Sequence, residues 1–339
     1  MIEWMALPVA FVVAVVLCWR FSSPGSLFHV LDHPGERSLH EQATPRSGGV
    51  ALVLGLLAGW GLATSLGGMK ADELSVWMMS GVVVLAIVGA VDDRLDLSPL
   101  LRLVVQLLAA FFLLAAGLIP DRLQLLGTAL TLPCYFALGL TVLYVLGLTN
   151  LYNFMDGMDG FAGGMAVTGF GFMAWLGWQA GDGGFVLMSL MIAAAAGGGL
   201  VFNFPPARIF MGDAGAPVLG YLVAALSLRA DRDGLFPLWV TVLIFSPFVV
   251  DASYTLLRRL LAGRKPWQAH REHVYQRLVQ LGWSHRRTVL WAYLLMLGAG
   301  VSAVMALNRD PAVQWAVVVG WPSIYVAIIV WVGLREQRD

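Results

Sequence analysis

The chain has 339 residues, 59% of them hydrophobic and 12% charged, with a mean hydropathy of +0.77. Soluble domains use roughly 45–50% apolar and about 25% charged residues, so these values exclude a soluble enzyme and a nucleic-acid-binding module and define an integral membrane protein. Twenty-one basic residues balance twenty-one acidic ones, so the sidedness of the charges matters more than their sum.

Eleven apolar runs of roughly 15–22 residues predict an all-α, polytopic membrane fold of about eleven transmembrane helices in one domain, residues 1–339. They run from Ala6 to Arg20, Gly48 to Leu66, Leu74 to Val91, Leu100 to Leu118, Pro133 to Asn150, Phe161 to Trp178, Phe185 to Val201, Ala214 to Leu228, Phe236 to Leu257, Thr288 to Met305 and Val313 to Leu334. The first run has Glu3 and no basic residue on its flank, and no small-residue cleavage pattern follows Cys18, so it is expected to be a retained span. Cys18 and Cys134 sit in apolar surroundings with no CxxC and no Cys/His cluster, which points away from disulfides and zinc.

The gaps between runs give an orientation. One set of alternate gaps holds only Lys70, Arg122, Arg229, Arg232 and Arg309; the other holds the remaining sixteen basic residues, including Arg20, Arg37, Arg46, Arg94, Arg208 and the eight from Arg258 to Arg287. The positive-inside rule then puts the N-terminus outside and the C-terminus inside. All six histidines, His29, His33, His40, His270, His273 and His285, fall on the basic side. The outer loops, such as Asp121-Arg122 and Asp231 to Asp233, read as plain solvated turns.

Every dense polar motif falls on the same basic side. The third run ends in V-D-D-R-L-D-L-S-P, where Asp92 and Asp93 form a repulsive carboxylate pair that a cation or a basic partner would relieve. Asp96 and Ser98 read as caps of the next helix, with Pro99 in its first turn. Next comes Asn150 to Gly164, N-L-Y-N-F-M-D-G-M-D-G-F-A-G-G, with Asn150, Asn153, Asp156 and Asp159 between two apolar runs. Such groups are costly in hydrocarbon, so this stretch reads as lining a wet cavity, the competing reading being a polar loop of Asx turns. The seventh run ends in V-F-N-F-P-P-A-R-I-F-M-G-D-A-G-A-P. Pro205 and Pro206 break the helix and leave Asn203, Arg208 and Asp213 in irregular backbone, where Asp213 is either a cation or phosphate contact or the N-cap of the eighth run.

The last basic stretch holds Arg258 and Arg259, read chiefly as membrane anchors, then Arg264, Lys265, His270, Arg271, His273 and Arg277. His270 and His273 share a helical face and, with Arg271, offer donors to a pyrophosphate or an imidazole to a metal. Asp251 lies inside the ninth run, and His285 reads as a solvated loop residue. Paired acids suit Mg²⁺, and no Walker loop is present.

Together, D-D-R-L-D-L-S, N-L-Y-N-F-M-D-G-M-D-G-F-A-G-G and N-F-P-P-A-R-I-F-M-G-D-A-G-A resemble the motifs of the polyprenyl-phosphate sugar-1-phosphate transferases, over about Asp32 to Leu278. The resemblance implies transfer of a sugar-1-phosphate from a UDP-sugar to undecaprenyl phosphate with Mg²⁺ or Mn²⁺, giving a sugar-diphospho-lipid and UMP. It implies catalytic roles for Asp92, Asp93, Asp156, Asp159 and His273. It makes Asp213 a metal ligand, with Asp93 as a second candidate. Asn150, Asn153, Asn203, Arg208, Arg264, His270 and Arg271 complete the set as substrate contacts. The family's H-x-H-H loop motif reads His273-Val274-Tyr275-Gln276 here, with His270 where an aspartate is usual, and Asp96 stands where the peptidoglycan enzyme has lysine. These departures resemble the branch that starts O-antigen chains with N-acetylated hexosamines or deoxysugars, and they put sugar choice in the loop from Arg264 to Arg287.

The implied partners are the two substrates and the lipid bilayer, with a homodimer left open and no nucleic acid. The site is expected on the cytoplasmic side of a bacterial inner membrane. The rival of another class is a transporter or lipid flippase, which Asp251 and the Pro205-Pro206 break would suit. It predicts functional groups near midplane and an internal repeat, whereas the motifs cluster at the ends of the runs.

Overall fold

The computed structural model describes residues 2–26, 28–35, 39, 42–265 and 270–337. Arg37 and His40, counted above on the basic side, and residues 266–269 of the loop assigned to sugar choice lie outside the described residues. The chain folds as a helical bundle: α1 (Ala6–Ser22), α2 (Gly48–Ser65), α3 (Glu73–Leu95), α4 (Pro99–Ala115), α5 (Cys134–Phe154), α6 (Phe161–Ala180), α7 (Gly183–Asn203), α8 (Ala216–Arg232), α9 (Leu238–Ile244), α10 (Ser246–Leu261), α11 (Val274–Gln280), α12 (His285–Leu307) and α13 (Pro311–Glu336). Two short antiparallel hairpins accompany them. β1 (Leu31–Asp32) pairs with β2 (Thr44–Pro45) beside the entry to α2, and β3 (Arg122–Leu125) pairs with β4 (Thr128–Thr131) in the loop read from sequence as a plain turn.

The expectation of about eleven membrane helices is corrected. Among the described residues seven helices are long and apolar enough to cross a membrane, or eight if α9 and α10, bent by 80°, count as one broken span. α4 and α8 have only seventeen residues, short of the roughly 20 a hydrocarbon core asks for. α6 has twenty but is diluted with glycine and tryptophan, and it too falls outside that set. Hydropathy does not separate a lipid-facing helix from one enclosed by protein, and α8 is enclosed. Every residue from Ala216 to Leu228 is buried, as suits a helix that is apolar all round.

α8 is accordingly the hub. Gly220 lets it approach the backbone of α5 at Leu148, and Gly81 of α3 faces the ring of Tyr221, so a β-carbon at either glycine would collide. α1, α2 and α7 meet through small residues, Gly55 and Gly198 both facing Ala14 of α1, the close contact that membrane helices use in place of a hydrophobic drive. Outward faces carry exposed Leu103, Leu107 and Phe111 on α4 and Leu290, Leu294 and Leu297 on α12.

Helix termini follow local rules. Asp72 accepts from Ser75 N at 2.9 Å to start α3, and Asp182 from Phe185 N at 2.8 Å to start α7. Ser98 caps α4 through Leu101 N, as expected, with Pro99 at the first helical position. Asp96 instead ends α3 in the left-handed conformation, φ 49°.

Candidate active site

The ends of α3, α5 and α7 and the starts of α4, α8 and α12 meet at one end of the bundle around a cavity of about 920 Å³. That size is ordinary for a small-molecule site. Asp92, Asp93, Asn150, Asn153, Asp156, Asp159, Asn203, Asp213, His270 and His273 all line it, so the motifs separated in sequence share one space. Arg46, Arg102, Gln106, Gln276 and His285 line it as well.

The last turn of α3 carries both buried acids of the D-D pair, and they do different things. Asp92 accepts from Leu97 N at 2.6 Å, bracing the turn into α4, and faces Arg102 of α4 at 3.3 Å. Asp93 points the other way. Its Oδ1 accepts from Asp213 N at 3.1 Å and its Oδ2 from Ala214 N at 3.4 Å. Arg46 approaches Asp93 with Nε at 3.6 Å, donates to its main-chain carbonyl and reaches Asp32 at 3.7 Å. Asp93 therefore brackets the loop that carries Asp213. Gly89, one turn earlier in α3, allows that approach, since a β-carbon there would strike the main chain of Asp213 and Ala214.

The Asn150–Gly164 stretch splits between structure and cavity. Asn150 exchanges amide hydrogen bonds with Gln106 of α4, at 2.7 and 3.1 Å, and also donates to Leu146 O. Asn203 uses both ends of its side chain: Oδ1 accepts from Gly160 N and Nδ2 donates to Ile209 O, each at 2.9 Å. Asp159 accepts from Ala207 N at 3.0 Å with Oδ2 and pairs with His285 Nδ1 at 3.3 Å through Oδ1. These bonds fasten the loop after α5 to the proline-broken loop after α7. The N-cap of α8 is Gly215, so Asp213 is not spent on capping.

His273 stands at the N-cap of α11 with Nδ1 3.1 Å from Asp251 Oδ1. Asp251 also accepts from Val274 N at 3.0 Å and Tyr275 N at 3.2 Å, placing a carboxylate on the free amides of the helix start. With Nδ1 so engaged, Nε2 is the ring nitrogen left for the cavity. Gln276 fixes the same turn, its Oε1 accepting from His273 N at 3.3 Å. Tyr275, one of the residues that depart from the family pattern, stacks on His273 at 5.6 Å and packs on Phe161, buried behind the cavity lining. Burial, followed by the neighbouring His273 and Arg259, pushes His270 down to about 4, which leaves it neutral at physiological pH.

The remaining loop acids are short of positive partners. Burial, then the charges of Asp213, Asp93 and Asp159, holds Asp156 well above the usual carboxylate range. Burial and Asp92 raise Asp213, against opposing help from Asn153, Arg102 and Arg46. Among the described residues no three His, Cys, Asp or Glu side chains form a ready-made metal cage. Asp156 also accepts from the backbone of Gly212, and its repulsion with Asp213 is what a cation between the two carboxylates would relieve. An all-oxygen pair of mutually repelling acids fits an ion of the Mg²⁺ type, which is held by one or two carboxylates and substrate phosphates.

Three sequence candidates stand outside the cavity lining. Arg208 is exposed, stacked over Phe202 at 4.6 Å. Arg264 pairs with Glu272 at 2.6 Å, and Arg271 donates to Gly35 O at 2.5 Å. His285, read from sequence as a solvated loop residue, is instead a cavity residue at the start of α12. Arg102 and Gln106 were missed because each sits in the leucine-rich face pattern of α4; a lone cation in an apolar run was the available signal.

The fold and cavity thus define a multi-pass membrane protein with an acidic, arginine-flanked site at the ends of its helices. The profile of glycosyl transferase family 4 matches residues 75–231. The chain is 31% identical over 309 residues to a probable undecaprenyl-phosphate N-acetylglucosaminyl 1-phosphate transferase of Bacillus subtilis (strain 168), covering 90% of this chain and 82% of the relative. It is 33% identical to a decaprenyl-phosphate N-acetylglucosaminephosphotransferase of Mycolicibacterium smegmatis, over 89% of this chain and 81% of that one. An undecaprenyl-phosphate alpha-N-acetylglucosaminyl 1-phosphate transferase of Yersinia pestis is 28% identical over 79% and 76%. The chain belongs to glycosyl transferase family 4 and is a membrane glycosyltransferase.

Proposed function

We propose that the chain transfers an N-acetylhexosamine 1-phosphate from a UDP-sugar to undecaprenyl phosphate, giving the sugar-diphospho-lipid and UMP. The observation that carries this reading is one cavity that joins the Asp156 and Asp213 carboxylates to Arg46 and Arg102 at the end of an apolar bundle. Both substrates are phosphates, and one of them is a lipid. Arg102 is the cavity cation on α4, a helix whose Leu103 and Leu107 face outward, so it receives the lipid phosphate.

Asp213 and Asp156 would hold a divalent cation, Mg²⁺ or Mn²⁺, which would supply charge neutralisation at the diphosphate. An oxygen of the lipid phosphate attacks the phosphorus that bears the sugar. The bond from that phosphorus to the bridging oxygen breaks, and its electron pair leaves with UMP. A lipid phosphate is ionised at neutral pH, so the step needs no base. Asp92, tied to Leu97 N and Arg102, acts by holding Arg102 in place rather than by taking a proton. His273 Nε2 and Arg46 face the diphosphate and stabilise its charge as the bond breaks.

The end of the bundle with the cavity also carries Arg20, Arg94, Arg258, Arg264, Lys265, Arg286 and Arg287, which supports a cytoplasmic site in a bacterial inner membrane. α1 starts at the opposite end and α13 ends beside α11, which supports a periplasmic N-terminus and a cytoplasmic C-terminus. The Tyr275-Gln276 form of the loop supports the O-antigen-initiating branch and an N-acetylated hexosamine or deoxyhexosamine as donor. The test is UMP release from purified protein with undecaprenyl phosphate, Mg²⁺ and a panel of UDP-N-acetyl sugars. Absence of UMP with every sugar, beside an active relative as control, refutes the activity. Asp213→Ala is expected to abolish turnover at ordinary Mg²⁺, and full turnover in that variant removes its assigned metal role.

A further inference from the structure

α11 has seven residues, too few to persist on its own hydrogen bonds, yet it begins at His273 and places Gln276 in its first turn on the cavity wall. Its geometry is therefore set from outside, by an acid at each end. At the start Asp251 of α10 accepts from Val274 N and Tyr275 N. In the last turn Arg277 makes a two-pronged bond to Glu336 of α13, Nε to Oε1 and NH2 to Oε2, both at 2.6 Å. The Arg277 side chain is 6% exposed and that of Glu336 35%, so this pair is partly withdrawn from water. A second contact reinforces it: Trp283, just beyond α11, meets Trp331 of α13 edge-on at 6.0 Å.

α13 contributes no residue to the cavity lining; it meets α10 through Tyr325 and Ser246, and its ion pair to α11 is Glu336 with Arg277. We propose that Glu336 is a positioning residue for the transfer reaction: by clamping Arg277 it holds α11 at the height and rotation that put His273 and Gln276 on the cavity wall. The proposal rests on the role given to His273 above. An exposed ion pair contributes little, but a bidentate pair on a buried guanidinium fixes orientation as well as distance. Loss of Glu336 frees the last turn of α11 while the Asp251 end keeps its bonds, so the helix tilts and carries the His273 ring and Gln276 out of line with the cavity. A displacement of about 1 Å there is enough to cost up to about 100-fold in rate.

The test is a double-mutant cycle on full-length protein in detergent, read as radiolabelled UMP release. Glu336→Gln is expected to lower kcat by roughly tenfold or more with little change in KM for undecaprenyl phosphate. Arg277→Lys, which keeps the charge and loses the fork, is expected to show the same pattern. In a His273→Ala background, Glu336→Gln is expected to add no further loss, because its effect passes through that side chain. Wild-type kcat in Glu336→Gln beside a damaged His273→Ala overturns the clamp alone. The same fold-loss in both backgrounds also overturns it, since that marks general destabilisation. Wild-type turnover in His273→Ala overturns the clamp together with the role of His273, and leaves the activity itself judged by UMP release.

Discussion

The carboxylate of Asp93 holds the main chain of Asp213, accepting from its N–H at 3.1 Å and from the next N–H, of Ala214, at 3.4 Å. Asp92, its neighbour in sequence, makes neither contact and pairs with Arg102. Adjacent acids therefore serve different parts of the site. Asp93→Asn is expected to raise the Mg²⁺ concentration for half-maximal activity by roughly 10–100-fold, as loss of an outer support does for a metal ligand. Asp92→Asn is expected to lower turnover with the Mg²⁺ dependence unchanged. A Mg²⁺ titration of UMP release in the two variants separates the roles.

Gly212 sits at φ +69°, and a β-carbon there would meet the Arg46 carbonyl and the Asp93 carboxylate oxygens at 2.7 and 2.9 Å. Gly212→Ala combines a left-handed backbone, costing about 1–2 kcal/mol, with displacement of the bracket that holds Asp213. The expected result is a folded protein with turnover reduced by at least roughly 100-fold, checked by UMP release beside a thermal midpoint. The neighbouring cavity glycine Gly157 is not at positive φ, so its substitution tests crowding by Tyr275 and Gln276 without backbone strain.

The amide pair of Gln106 and Asn150 offers a test of whether Asn150 is a packing or a substrate group. Asn150→Leu leaves a partly buried amide without its partner and is expected to cost about 1–3 kcal/mol. The double variant Gln106→Leu/Asn150→Leu removes both amides and is expected to recover most of that loss. Unfolding in detergent measures the stabilities. Activity retained in the double variant would assign Asn150 to packing between α4 and α5.

His270 gives a pH signature. Its folded value of about 4 lies below the unfolded value of roughly 6.5, so the unfolded chain binds the proton more readily. Stability linked to this group is present above the unfolded value and is lost as pH falls from about 6.5 toward 4. His270→Gln removes the group, so wild type and variant are expected to have a constant difference in thermal midpoint above pH 7. Below pH 6.5 the variant is expected to gain relative to wild type.

Much of the site was legible in the sequence because carboxylates and amides at the ends of apolar runs are costly wherever they are not used. Asp92, Asp93, Asn153, Asp156 and Asp213 announced themselves in this way. The partners that divide their labour did not. Arg102 and Gln106 look like strays in a leucine-rich helix until α4 is folded against α3 and α5. His285 lies far along the chain from Asp159, and no local pattern links them. Span counting failed for a related reason: periodicity and hydropathy report that α8 avoids water, not that its neighbours are helices rather than lipid. The hairpin at Arg122–Leu125 and Thr128–Thr131 was hidden by its brevity.

The carboxamide of Asn203 has a consequence for any attempt to re-engineer specificity. Its two ends grip Gly160 and Ile209, so segments some forty residues apart in sequence behave as one rigid block. A graft that imports the N-F-M-D-G-M-D-G segment from a relative without the segment around N-F-P-P-A-R would join halves shaped for different counterparts. Chimeras that exchange both segments together, with residue 203 among them, are the ones expected to yield a working enzyme.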